Sequence, residues 1–153
     1  MSETIVCVGG IVIRQGRILL VRQSPGHPLA NQWTIPWGQI DRGESPTVAV
    51  RREIREEASV DVAVEGLLGV QELPEPWLGM IGLVFLCEHV DGEPTPDGRE
   101  TDAAGYFDAE RLDAIDGSLE PLTAWLVRRV LANEFTLLPA NDLGPFSPSP
   151  TYL

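Results

Sequence analysis

Residues 38–60 read GQIDRGESPTVAVRREIREEASV, and the character of this stretch changes at its middle. Trp37-Gly38 just before it and Asp41-Arg42-Gly43 within it are too rich in turn residues for a strand, which predicts a polar loop. Ser45 followed by Pro46 then supplies a helix start, with the serine side chain as N-cap and the proline at the first helical position. Helical periodicity runs on to about Ala58. At 100° per residue, Val50, Ile54 and Ala58 fall on one stripe, suited to a core. Glu53, Glu56 and Glu57 share a sector about 100° wide beside it.

Stability alone does not ask for that acidic sector. Like charges three and four residues apart cost about 0.2–0.5 kcal/mol per pair, and Arg52 can relieve only part of this through Glu56. Three carboxylates from one helix do supply hard oxygen ligands. Mg²⁺ or Mn²⁺ would cancel their repulsion and keep coordination positions for water and phosphate oxygens. A solvated, salt-bridged face is the plain alternative for a mixed-charge run, so the surroundings of the helix have to decide.

The rest of the chain narrows the field. Its 153 residues, 43% of them hydrophobic, suffice for one well-buried core and are short for two. The opening residues lack a basic start, and no stretch approaches the eighteen apolar residues of a membrane span. These features predict a soluble, cytoplasmic protein that does not engage a membrane. A net charge of −12 argues against duplex nucleic acid as a partner, because nonspecific affinity rests on neutralising phosphates with Lys and Arg. An acidic protein that handles phosphates needs a metal or a local basic cluster, and Arg42, Arg51, Arg52 and Arg55 do cluster beside the acids. Cys7 and Cys87 sit among apolar residues and read as buried, reduced thiols.

Coarse patterning predicts a hairpin from residues 5–13 and 17–22 around Gln15-Gly16, and a short extended piece at 33–35. Strands are expected from residue 60 to about 70, at 80–88 and at 103–107. A late amphipathic helix over 119–134 would set Leu122, Trp125, Leu126, Val130 and Leu131 toward a core. The proline-rich residues 139–153 read as a wrapped or loose C-terminal extension to a domain of residues 1–138.

The loop and helix together supply the missing context. Gly38, five residues, Glu44, seven residues, Arg52-Glu53-Ile54, one residue, Glu56-Glu57, one residue, then Ser59-Val60 closely resembles the signature of the Nudix hydrolase family. Trp33, Ile35 and Pro36 agree with the family's flank. Trp37 stands where the family has the first of two glycines, and Ser59 where it has the glycine that ends the helix.

The resemblance implies an α/β (α+β) fold, a mixed β-sheet sandwiched between α-helices. The implied activity is hydrolysis of a diphosphate linkage in a nucleoside diphosphate derivative. It casts Glu53, Glu56 and Glu57 as ligands of Mg²⁺ or Mn²⁺, with the main-chain carbonyl of Gly38 as a further one, and Glu44 and Arg52 as their supports. For the general base it leaves two candidates, Glu100 and Glu53. Trp33 and Trp37 are candidate stacking platforms for a base, with Trp77 a third, and Arg22 is a candidate phosphate contact. Ser59 would take a left-handed backbone if the helix ends as the family's does.

Substrate identity is less constrained. Pro76, sixteen residues beyond Val60, leans the reading to ADP-ribose or a nucleotide sugar. Nucleoside triphosphates and dinucleoside polyphosphates stay open, as does a non-catalytic nucleotide-sensing module, although such modules typically lose carboxylates that this chain keeps. A homodimer is also left open.

Overall fold

The computed structural model describes residues 4–153. Strand β1 (Ile5–Arg14) turns through Gln15-Gly16 into β2 (Arg17–Gln23), and both turn residues have positive φ. The two strands pair only near the turn, at Ile13 with Ile18 and Arg14 with Arg17. Beyond that they diverge. The freed edge of β1 is taken by β4 (Trp37–Gln39), in the register Cys7 to Gln39, Val8 to Gly38 and Gly9 to Trp37. This corrects the expectation of a loop there: a three-residue strand has no alternation to detect, and its pairing partner lies some thirty residues away.

On its other side β1 runs parallel to β6 (Met80–Asp91), which pairs antiparallel with β5 (Asp61–Glu72). Strands β3 (Trp33–Thr34) and β7 (Thr101–Phe107) both pair with β2. The chain after residue 137 extends the sheet as β8 (Leu138–Asn141) on β5 and β9 (Thr151–Tyr152) on β8. The extension is therefore wrapped rather than loose, and it seats closely: a Cβ on Gly66 would lie 2.3 Å from the carbonyl oxygen of Leu138. Tyr152 reaches the Phe85 ring at 5.5 Å between centroids and the hydroxyl of Thr47 at 2.9 Å.

Helix α1 (Pro46–Ala58) covers one face of the sheet, burying Ala49, Val50, Ile54 and Ala58 against Val8, Val12, Leu19, Val21 and Phe85. It comes so close that a Cβ on Gly10 would stand 2.6 Å from Ile54 Cδ1. Helices α2 (Ala109–Ala114) and α3 (Pro121–Leu131) cover the other face through Leu112, Val127 and Val130. The result is the expected mixed sheet between helices.

The expected core stripe of α3 holds at Val130, with Leu126 and Leu131 partly buried against the same cluster, and fails at Trp125. Thr123, Val127 and Val130 are the buried positions, and Trp125, two residues from either of the first two, turns outward at 59% exposure with Arg129 stacked on its ring. The six-residue α2 was not expected from the pattern, being too short to show a period. Cys7 and Cys87 are buried free thiols, and burial pushes the Cys87 thiol up to about 12.

Candidate functional site

Helix α1 begins as its sequence predicts, with Ser45 extended and its hydroxyl accepting from the amide of Val48. It ends on Ser59, whose φ of 59° and ψ of 29° are left-handed, and whose amide donates to the carbonyl of Arg55. Between these ends the packing of the Ile54 stripe leaves Glu53 and Glu57 facing inward, at 7% and 2% exposure.

Glu53 lies against Gly38 of β4. A Cβ at Gly38 would stand 2.1 Å from the Glu53 carboxyl carbon, so only glycine leaves room for that carboxylate. Glu57 accepts a hydrogen bond of 2.9 Å from the amide of Trp37, through Oε2. A third carboxylate arrives from just before β7. Oxygens of Glu53, Glu57 and Glu100 lie within 4.8 Å of one another.

Three carboxylates this close, two of them buried, repel strongly unless a proton or a cation joins them. Burial, and behind it the charges of Glu53, Glu100 and Asp97, pushes the Glu57 carboxyl well above its usual range against the Trp37 hydrogen bond. Burial also raises Glu53, although Arg52 opposes the shift. An all-oxygen, anionic, partly sheltered donor set fits a hard divalent cation.

Arg52 ties the surroundings together. Its guanidinium donates to Glu44 at 2.7 and 2.8 Å, to Glu53 Oε1 at 2.7 Å, to Glu56 at 3.2 Å and to the Gln39 carbonyl at 3.0 Å. Hydrogen bonding to Glu44 is the foremost reason that the guanidinium is held firmly in its charged form, and the same contact holds the Glu44 carboxyl below its usual range. Glu44 and Arg52 thus have the geometry of supports. Glu56, grouped with Glu53 and Glu57 by helical spacing, is half exposed on Arg52, and it is Glu100 that joins the other two.

Next to Gly38 opens a largely apolar cavity of about 420 Å³, lined among others by Trp37, Leu73, Trp77, Met80, Leu122 and Leu126. Trp37 lies at its sheet side, where a Cβ on Gly9 or Gly82 would come within 2.0 or 2.5 Å of the indole. The two bare glycines are the socket for this ring. The other expected contacts lie elsewhere. Trp33 packs edge-on against Phe107 at 4.9 Å, and Arg22 bonds Asp102 at 2.7 Å; neither lines the cavity. His27 does line it, with Nδ1 accepting from the Leu29 amide, whereas His89 is paired with the Tyr106 hydroxyl.

Sequence reasoning overlooked Gln23, Thr34 and Glu120, which also line the cavity. It also overlooked Asp97 and Thr101, which fix the segment around Glu100. The Asp97-Gly98 pair was readable only as a turn.

The family model for the NUDIX domain matches residues 4–126. The chain belongs to the NUDIX family. An ADP-ribose pyrophosphatase of Methanocaldococcus jannaschii is 33% identical over 109 residues, 70% of this chain and 63% of that protein, so the match spans under two thirds of the relative. An 8-oxo-dGTP diphosphatase of Haemophilus influenzae is 29% identical over 133 residues, 86% of this chain and 95% of that one. Among solved structures, a NUDIX hydrolase from Nitrosomonas europaea superposes with a TM-score of 0.77 at 22% identity, covering 87% of this chain and 73% of its own. This Nudix protein is accordingly a hydrolase of pyrophosphate linkages.

Proposed function

We propose that this Nudix hydrolase is a Mg²⁺- or Mn²⁺-dependent pyrophosphohydrolase that cleaves the diphosphate bridge of a nucleoside diphosphate derivative, with ADP-ribose or a nucleotide sugar favoured. The observation that carries the reading is the convergence of Glu53, Glu57 and Glu100 beside Gly38, at the edge of an apolar cavity with two tryptophans in its wall. The lean in substrate class is supported by the position of Pro76 and by resemblance to a relative named as an ADP-ribose pyrophosphatase.

In this reading Glu53, Glu57 and Glu100, with the main chain of Gly38, hold the divalent cation, Glu56 adds charge at the exposed edge of the site on Arg52, and Glu44 and Arg52 keep those carboxylates in place. The cation, when bound, would stabilise charge on the phosphoryl oxygens and make water a stronger acid. Glu100, or Glu53 in its place, takes the proton from the attacking water. Water then adds to one phosphorus, the bridging P–O bond breaks, and the bridging oxygen leaves with the other phosphate. Trp37 and Trp77 offer faces on which the nucleobase stacks, a contact that tolerates different bases. Trp33 and Arg22, candidates from sequence, have no place in this arrangement because both are engaged away from the cavity.

The test is a product-release screen over ADP-ribose, nucleotide sugars, dinucleoside polyphosphates and nucleoside triphosphates, each with Mg²⁺, Mn²⁺ and chelator. Turnover of diphosphate-linked compounds that depends on the cation is expected. A flat response across the panel would overturn the proposal in favour of a binding module, and preference for triphosphates would correct the substrate class.

A further inference from the structure

A helix leaves its last carbonyls without partners of its own. In α1 two of them are met by the segment that leads to Glu100. The amide of Thr95 donates to the carbonyl of Ala58 at 2.9 Å, and the hydroxyl of Thr101, fully buried, donates to the carbonyl of Glu57 at 2.7 Å. A third bond runs the other way, from the Ser59 hydroxyl to the carbonyl of Thr95 at 3.2 Å. Where this segment starts, at Gly92, a Cβ would stand 2.4 Å from the Ser59 carbonyl oxygen.

The segment also has a centre of its own. Asp97 Oδ1 accepts from the amides of Arg99, Glu100 and Thr101 at 2.8, 2.9 and 3.0 Å. The carbonyl of Glu100 accepts from the amide of Ser24 at 2.9 Å. Glu100 is thus held by its amide on Asp97, by its carbonyl on Ser24 just past β2, and through its neighbour Thr101 on the helix that carries Glu53 and Glu57.

We propose that Ser59, Asp97 and Thr101 are positioning residues: by capping α1 with the very segment that bears Glu100, they make completion of the helix and assembly of the carboxylate cluster a single event. The inference rests on reading Glu53, Glu57 and Glu100 as the cation site. It also accounts for Ser59, which stands at a left-handed position where glycine fits with less strain. Glycine there would lack the hydroxyl that fastens Thr95.

An ordinary capping role would change stability alone, so the test measures Mn²⁺ binding to the metal-free protein, by calorimetry or by the spectrum of free Mn²⁺. Thr101→Val is placed in the native chain and in Glu100→Gln. Loss of about tenfold in Mn²⁺ affinity is expected in the native background. Less than twofold is expected in Glu100→Gln, because the carboxylate through which Thr101 acts is already gone. Thr101→Ser should restore binding.

Equal losses in both backgrounds would overturn the inference while leaving the cation site intact, whereas Glu100→Gln with native affinity would remove Glu100 from that site and overturn the inference with it. If Thr101→Val fails to fold, Asp97→Asn carries the same cycle with the same expected non-additivity. Glu57→Gln with native Mn²⁺ affinity would instead overturn the cation-site reading, and the inference with it.

Discussion

Trp37 and Glu57 are joined across the gap between β4 and α1 by a hydrogen bond of 2.9 Å, from the Trp37 amide to Oε2. One neutral donor offsets little of the repulsion on Glu57 from Glu53 and Glu100. Glu57→Gln keeps an acceptor for that amide and removes a buried charge. It should lower turnover by at least about a hundredfold, as loss of a principal electrostatic group does. In chelator, thermal unfolding should find it as stable as the native chain or more so, and added Mg²⁺ should no longer raise its melting temperature to the same extent. Native turnover at limiting Mg²⁺ would contradict the assignment.

Gly38 marks a point of close approach. In Gly38→Ala the new methyl would meet the Glu53 carboxyl at 2.1 Å. Relaxation should cost about 1–3 kcal/mol, the usual range for overpacking, and it should fall mainly on that side chain. The measurable consequence is weaker Mn²⁺ binding in a protein that still unfolds cooperatively. Unchanged binding would mean that the carboxylate has room to move aside without loss.

The indole of Trp37 and the bare backbone of Gly9 exclude any larger pairing. Gly9→Ala should destabilise the fold by about 1–3 kcal/mol in urea titrations. In a Trp37→Gly background, which restores the usual glycine of the family's pattern, the same alanine should cost much less. Additive effects would show that the strain lies elsewhere.

Ser59 combines a strained backbone with a useful hydroxyl. Ser59→Ala keeps the left-handed Cβ and loses the bond to Thr95, so it should be less stable by about 1 kcal/mol. Ser59→Gly loses the same bond but also relieves about 1 kcal/mol of strain, leaving its stability near native. Thermal unfolding of the pair separates the two contributions. An alanine variant as stable as the native chain would mean that the hydroxyl contributes nothing.

What was legible from sequence is what local periodicity encodes. Ser45, Pro46 and the Val50-Ile54-Ala58 stripe lie within one helix, so their spacing alone set its start and its buried face; that Glu53 and Glu57 turn inward while Glu56 stays exposed follows from packing that spacing does not carry. Strand β4 was hidden because it exists only where β1 and β2 part. The grouping of Glu100 with Glu57 depends on a bond between residues 44 apart, Thr101 and Glu57, and no window along the chain contains it. The outward turn of Trp125 shows the limit even within one helix: several registers gather apolar residues on α3, and the packing against Leu112 selects among them.

The fit of β8 against Gly66 bears on what the outer edge of the sheet can pair with. Strand β5 needs a neighbour for its outer edge, and its own C-terminal segment provides one. Were that segment shortened ahead of Leu138, the main-chain donors and acceptors of Gly66 and Leu67 would stand open, with no side chain at Gly66 to fend off an incoming strand. Such a protein would be prone to self-association through that edge. The closing segment that also docks Tyr152 beside the carboxylate-bearing helix therefore doubles as a guard against aggregation.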